Sequence, residues 1–450
     1  MWKKERKDVK KMKKAKTIKD LVNSLDPNPI STDENMDSFY VDTSVARGTD
    51  STARIEYVLK NGESKNKKFL FAGHSGSGKS TELFKLSERL KDQYTVISLS
   101  ISNYASFLDL STVDVIYAMF KKLVDKCEKL NITVNDDLMR NILVYWQEES
   151  IITQTTEEET SLEGEVGVGV SLIQIISSRI KAFFQQSNKL KREKVEKAER
   201  SLSQFISLVN MFLRDLKKSA INNDVLFIVD DLDKMAEKEA YDIFKEHTMF
   251  LTSIEANIIY TFPVFMHYNP NYRYIRFNFD ESVILSIIMT NKIDGHPYDV
   301  GIETLETIVK KRAEESLFEK DVILYAIKKS GGSIRNVLNL LRSASINAGM
   351  QSEKEPANHS KEIVTMDDVE FAYRDYKNAM QRSINRKHLP ILKEIYKNKR
   401  PIGDEDNLIV MELFKTFAVI EYNCDRWCDL NPAVKDYLTE VGELETIKMP

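Results

Sequence analysis

One stretch constrains this chain more than any other: Gly73-His74-Ser75-Gly76-Ser77-Gly78-Lys79-Ser80 satisfies G-x-x-x-x-G-K-[ST] in full. The run before it, KFLFAG, is apolar and strand-like. The run after it, STELFKLSERLKDQ, places Leu83, Phe84, Leu86 and Leu90 at helical spacing. A strand that turns through glycines into a helix is a phosphate cradle. Gly73, Gly76 and Gly78 let the backbone curl, so that the N–H groups of the loop, those of Ser75 and Ser77 included, converge on an anion. The helix start adds its positive end. Lys79 supplies a charge for the β- and γ-phosphates, the Ser80 hydroxyl suits Mg²⁺, and Thr81 is placed toward the α-phosphate. His74 occupies a variable position and takes no role in this reading.

A second half-site follows in NDVLFIVDDLDK, Asn223 to Lys234, an apolar strand that ends in acids. Asp230 at the strand end would hold Mg²⁺ together with Ser80. Asp231 falls where a carboxylate can polarise the attacking water. Being one methylene shorter than glutamate, it predicts slow turnover. Asp233 reads as the N-cap of the next helix.

Further strands are expected at YTVISLSIS (94–102), at Asn257–Phe265 (NIIYTFPVF) and at Tyr274–Phe279 (YIRFNF), with helices over 111–131, 135–150 and 201–218. Apolar strands alternating with helices predict an α/β fold with a parallel sheet covered on both faces. Because about 150 residues separate the loop from Asp230, an additional strand is expected between the two motif strands. The organisation reads as a polar lead-in over 1–38, broken by DPNP, a nucleotide-binding core over 39–284, a helical lid over 285–361 and a final unit over 362–450. Residues 151–195, acidic and then charged, read as an insertion in the core. In the final unit, LFKTFAVIEYNCDRWCDLNPAVKDYL reads as strand, turn at NCDR, strand and helix, which together with the preceding helices suggests a winged helix.

A net charge of −4 with 42% hydrophobic and 30% charged residues is ordinary for a soluble globular protein and argues against a surface coated for nucleic acid. Cys127, Cys424 and Cys428 supply neither a disulfide framework nor the four ligands of a zinc site, and suit a reducing cytoplasm. The longest uncharged run worth weighing, Val166–Ser178, has thirteen residues, short of the roughly 18 to 20 that span a bilayer. The basic opening, MWKKERKDVKKMKKAK, has no apolar core behind it and reads as a solvated tail.

With its motifs in this order, the chain resembles the P-loop ATPases of the AAA+ and STAND type over about residues 39 to 440. The resemblance implies a three-layer P-loop core with ATP and Mg²⁺ bound, then the helical lid and winged helix. It also implies three further positions. Thr261, in NIIYTFP, would sense the γ-phosphate, with Asn257 a weaker choice; Arg335, in GGSIRNVLNLL, would reach back from the lid to the nucleotide. Arg47, in VARG, would pack near the base. No arginine finger stands out, although Arg273 and Arg276 lie in the right stretch. KAP-type ATPases are similar in carrying membrane segments inside the core, but here the run is short and interrupted by Arg179 and Lys181. The expected function is an ATP-dependent switch with a protein partner or a second copy of itself. Many bacterial proteins resembling this layout accompany effector proteins in antiviral defence, so the resemblance implies that context as well. The alternatives are a DNA-loading ATPase like the origin-recognition proteins, with Lys387, Lys393, Lys397, Lys399 and Arg400 as its basic face, and a scaffold that binds ATP without hydrolysing it.

Overall fold

Five apolar runs pair as parallel strands in the order β2-β3-β4-β1-β5: β1 (Lys68–Gly73), β2 (Tyr94–Ser100), β3 (Asp224–Asp230), β4 (Asn257–Pro263) and β5 (Glu281–Ile284). These come from a computed structural model that describes residues 12–63, 65–149, 171–185, 188–219, 223–354, 363–401, 407–422 and 427–444. The strands carry apolar residues on both faces. Leu70, Ala72, Phe227, Val229 and Tyr260 pack into one core, while Phe69, Phe71, Leu226, Ile228 and Ile259 pack into the other. This period of two on two buried faces is what a helix-covered parallel sheet requires. β4 lies between the loop strand and the acidic strand in the sheet, so an additional strand does separate the two motif strands, although it follows both of them in the chain. In open sheets of this kind, ligands bind beyond the carboxyl ends of the strands, where β1 and β3 deliver their motifs.

The third expected strand, Tyr274–Phe279, is not one. Tyr272–Phe277 forms a short helix, and the fifth strand begins at Glu281. Aromatic and β-branched residues suggested a strand there, but the buried residues Ile275 and Phe279 are four apart while Tyr274 and Phe277 are exposed. That is helical spacing.

The stretch before Phe39 is also folded, unlike the expected lead-in. Thr17 and Asp20 close a capping box on the Ile18–Ser24 helix, whose Leu21, with Leu25 beyond it, is fully buried. This helix packs on the Ile334–Lys354 helix, and Ala15 exchanges backbone bonds of 2.8 and 3.0 Å with Arg312 and Glu314. Its apolar positions are few and set among charges, which hid them from a composition-based reading.

Part of the expected insertion belongs to the helical layer. Leu172–Phe184 packs on the Thr112–Lys129 helix, and Asn188–Ser219 is one continuous helix with no boundary at 195. Tyr117, Tyr145, Trp146, Phe183 and Phe205 stack between these helices. Residues 150–170, the basic arm up to residue 11 and the NCDR turn with Cys424 lie outside the described residues. Among the described residues no helix is long and apolar enough to cross a membrane.

Beyond the sheet come the helices Asp299–Arg312, Val322–Lys329 and Ile334–Lys354. The helices Met366–Gln381, Leu389–Asn398 and Asn407–Lys415 follow, with an antiparallel pair, β6 (Val419–Tyr422) and β7 (Trp427–Leu430), and a last helix, Pro432–Glu440. Cys428 on β7 and Cys127 are buried, and the Cys428 thiol lies 3.6 Å from the Tyr268 hydroxyl.

Candidate nucleotide site

The glycine loop adopts the backbone that its sequence demands. Gly76 and Gly78 have φ of +83° and +102°, and no side chain caps the Lys79–Leu90 helix at Gly78. Ser75, Gly76 and Gly78 to Thr81 line a cavity of about 1260 Å³, ample for a nucleoside triphosphate. Asp230 at the end of β3 and Asp231 and Asp233 in the turn after it line the cavity, with Pro29, Ile30, Phe39 and Val41 from the N-terminal segment, and Ile308, Ile334 and Leu338 from the lid.

Lys79 is buried at the centre. Its Nζ donates to the carbonyls of Gly73 (2.6 Å) and His74 (2.9 Å) and pairs with the Asp233 carboxylate at 2.9 Å. Asp233 is therefore the counter-ion of Lys79 rather than the expected cap. Asp230 is buried, with its carboxyl held well above the usual range, first by burial and then by Asp231 and Asp233; a hydrogen bond with Ser80 partly offsets both. Burial likewise raises Asp231, but hydrogen bonds from Lys234, Ser100 and Ser102 outweigh it and hold this carboxyl below its usual range. Asp231 stays ionised and sits in the left-handed region at φ +73°. One buried carboxylate beside a hydroxyl fits a hard divalent cation that takes its other oxygens from phosphate and water. Ser80 and Asp230 would hold Mg²⁺ here, where it would offset the repulsion that raises Asp230.

Arg335, on the Ile334–Lys354 helix, meets the glycine loop. Its Nη1 donates to Ser75 Oγ at 2.5 Å, and its amide donates to the Gly76 carbonyl at 3.4 Å. The lid rests so closely on the loop that a Cβ on Gly76 would lie 2.6 Å from Arg335 Cβ. Gly76→Ala is therefore expected to strain the loop and lift the lid, lowering ATP affinity by at least about 10-fold. Titration calorimetry checks this.

Thr261 and Arg47 stand one step away from the nucleotide positions expected of them. Thr261 is fully buried; its hydroxyl accepts from the Leu232 amide (2.9 Å) and donates to the Val229 carbonyl (3.2 Å). It thereby fixes the strand end that carries Asp230 and Asp231, and it does not line the cavity. Arg47 clamps the loop from behind, with Nε on Thr43 (2.8 Å), Nη2 on the Ser77 carbonyl (2.6 Å) and Nη1 on the Ser286 carbonyl. Burial lowers this guanidinium to about 10. Asn257 lies at the other end of β4, holding the Lys67 amide at 2.9 Å. Thr81 lines the cavity, and its hydroxyl accepts from the Ile30 amide at 3.2 Å.

The residue the pattern left without a role is His74. It is buried, and its Nε2 accepts the backbone N–H of Glu421, on β6, at 3.0 Å. Phe414 stacks on its ring at 5.9 Å, and Phe417 meets it edge-on at 5.2 Å. Burial, then the nearby Lys79, press its pKa down to about 3, so the ring is neutral and Nε2 is an acceptor. Tyr422 on β6 also donates to the Gly331 carbonyl at 3.0 Å, just before the Arg335 helix. Contacts across 347 residues of chain leave no local signature in sequence.

The parallel order, the loop and the acidic strand end make this an α/β P-loop NTPase fold. No family model and no curated protein matches the chain. Among solved structures it is similar to a Walker-type ATPase of Pyrococcus abyssi, with 12% identity and a TM-score of 0.42 over 92% of this chain and 99% of that one. It is also similar to the Orc1 protein of Aeropyrum pernix in complex with DNA, with 13% identity and a TM-score of 0.37 over 93% and 96%. A third is the RuvB Holliday junction branch migration motor of Thermotoga maritima, with 12% identity and a TM-score of 0.35 over 93% and 99%. None is close enough to add to what the strand order and the loop already establish.

Proposed function

We propose that the chain is a Mg²⁺-dependent ATPase acting as a conformational switch. One observation carries this reading: lid and C-terminal unit both bond to the glycine loop itself, Arg335 at Ser75 and the Glu421 amide at His74. A loop that reshapes around phosphate cannot do so without disturbing both contacts. In this reading Lys79 and the loop amides of Gly73 to Thr81 bind the phosphates, while Ser80 and Asp230 hold the metal, which would neutralise charge on the phosphate oxygens. Asp231 orients water, Thr261 fixes the strand end from behind, Arg47 braces the loop, and Arg335 links the nucleotide to the lid. The two states differ in whether the C-terminal unit stays docked, and the undocked state exposes a surface for a protein partner.

Three of the five basic residues behind the DNA alternative are already paired: Lys387 with Glu412 (2.6 Å), Lys393 with Glu443 (2.5 Å) and Lys399 with Asp429 (2.8 Å). Paired surface charges make a poor phosphate-binding face. The test is ATP turnover with and without double-stranded DNA. We expect slow turnover indifferent to DNA, falling about a hundred-fold in Asp231→Asn with ATP affinity kept within a few-fold. Binding with no turnover would leave the scaffold reading, and strong stimulation by DNA would favour the loader.

A further inference from the structure

Two buried polar atoms have no partner among the described residues and belong to residues that line this cavity: Arg312 Nε and Ser24 Oγ. The exposures of the two residues are only 4% and 2%. The Arg312 Nη1 donates to its own helix at the Ile308 carbonyl (3.4 Å), and among the described residues no carboxylate pairs with the guanidinium. Burial alone lowers its pKa, to about 10. A buried cation without a counter-ion costs stability unless a ligand supplies the acceptor. The same cavity is lined by the apolar side chains of Ile30, Phe39, Val41, Ile308 and Leu338. Such apolar lining suits a flat base, whose polar edge needs partners of the kind the two orphaned atoms offer.

Resting on the nucleotide reading above, we propose that Arg312 and Ser24 are the base-reading end of this cavity, with Arg312 donating to the acceptor edge of a purine. Guanidinium offers donors only. A 6-oxopurine presents two adjacent acceptors, O6 and N7, whereas adenine presents N7 beside a donating amino group. The site therefore takes 6-oxopurine triphosphates at least as well as ATP. Ser24, able to donate or accept, tolerates either edge.

The cleanest probe pair is ATP against inosine triphosphate, which differ at the 6-position, measured by calorimetry with Mg²⁺ on the full chain. The wild type is expected to bind inosine triphosphate with equal or up to roughly 10-fold higher affinity. Arg312→Gln, whose amide matches the adenine edge, is expected to shift the ratio toward ATP by roughly 10-fold. Arg312→Lys keeps the charge without the fork and is expected to flatten the ratio; it serves if the glutamine variant fails to fold. A wild type that prefers ATP, with a ratio that neither variant moves, overturns the proposal. Loss of all nucleotide binding by the folded wild type would instead overturn the underlying nucleotide reading, so the two failures are distinguishable.

Discussion

Replacing Lys79 with alanine is expected to end ATP turnover and to weaken ATP binding by roughly 10- to 150-fold, the worth of a charge-assisted hydrogen bond to phosphate. The same change has a second consequence that the geometry dictates. Lys79 is the buried partner of Asp233, so its removal leaves a carboxylate without a counter-ion in a site where both side chains are only 6% exposed. Breaking a buried pair costs about 3–5 kcal/mol, an upper bound here because Asp233 borders the open cavity. Lys79→Ala should therefore melt earlier than wild type, and the double variant Lys79→Ala/Asp233→Asn should recover most of that loss without recovering ATP binding. Asp233→Asn alone moves binding the other way. It removes the competitor for Lys79 and should tighten ATP modestly. Calorimetry and thermal melting of the three variants check all of this.

His74→Ala carries the second large effect, on coupling rather than on chemistry. It leaves the Glu421 N–H without its acceptor and removes the ring between Phe414 and Phe417. An unsatisfied buried amide costs about 1–3 kcal/mol, and the vacated ring adds to that. The docked state should therefore lose at least a factor of about 10 in population. Hydrogen exchange at residues 414–422 should speed up accordingly, while turnover stays within a few-fold of wild type. Gln at position 74 keeps an acceptor and should restore part of the protection.

The same ring sets a pH dependence. Folded His74 titrates near 3 and unfolded histidine near 6.5, so between these values the unfolded chain binds the extra proton. Stability from this group is complete above about pH 6.5 and is lost progressively as pH falls toward 3. His74→Gln should remove that part of the acid sensitivity, which melting temperatures between pH 7 and 4.5 would show.

Much of the site was legible because its elements are local. The glycine loop, its flanking strand and helix, and the Asp230–Asp231 strand end each declare themselves within a dozen residues. Backbone geometry at Gly76 and Gly78 leaves little choice of residue there. Arg335 was reachable too, through its motif. What stayed hidden was long-range. The strand-like composition of Tyr274–Phe279 concealed a short helix that buries Ile275 and exposes Tyr274 and Phe277. Thr261 turned inward because the Leu232 amide needed an acceptor, a demand that only the assembled sheet creates. Asp233 looked like a helix cap because its partner, Lys79, lies on another element. The N-terminal wall of the cavity carries too few apolar residues to announce itself, and His74 meets its partner only when the C-terminal hairpin docks.

The central claim is that nucleotide at the glycine loop controls the docking of the C-terminal unit. The most direct measurement is hydrogen exchange over residues 407–422 in the full chain, compared without nucleotide, with ADP and with ATP and Mg²⁺. Exchange there should differ between the ATP and ADP states, and Lys79→Ala should abolish the difference. Identical exchange in all three conditions, with nucleotide shown to be bound, would contradict it.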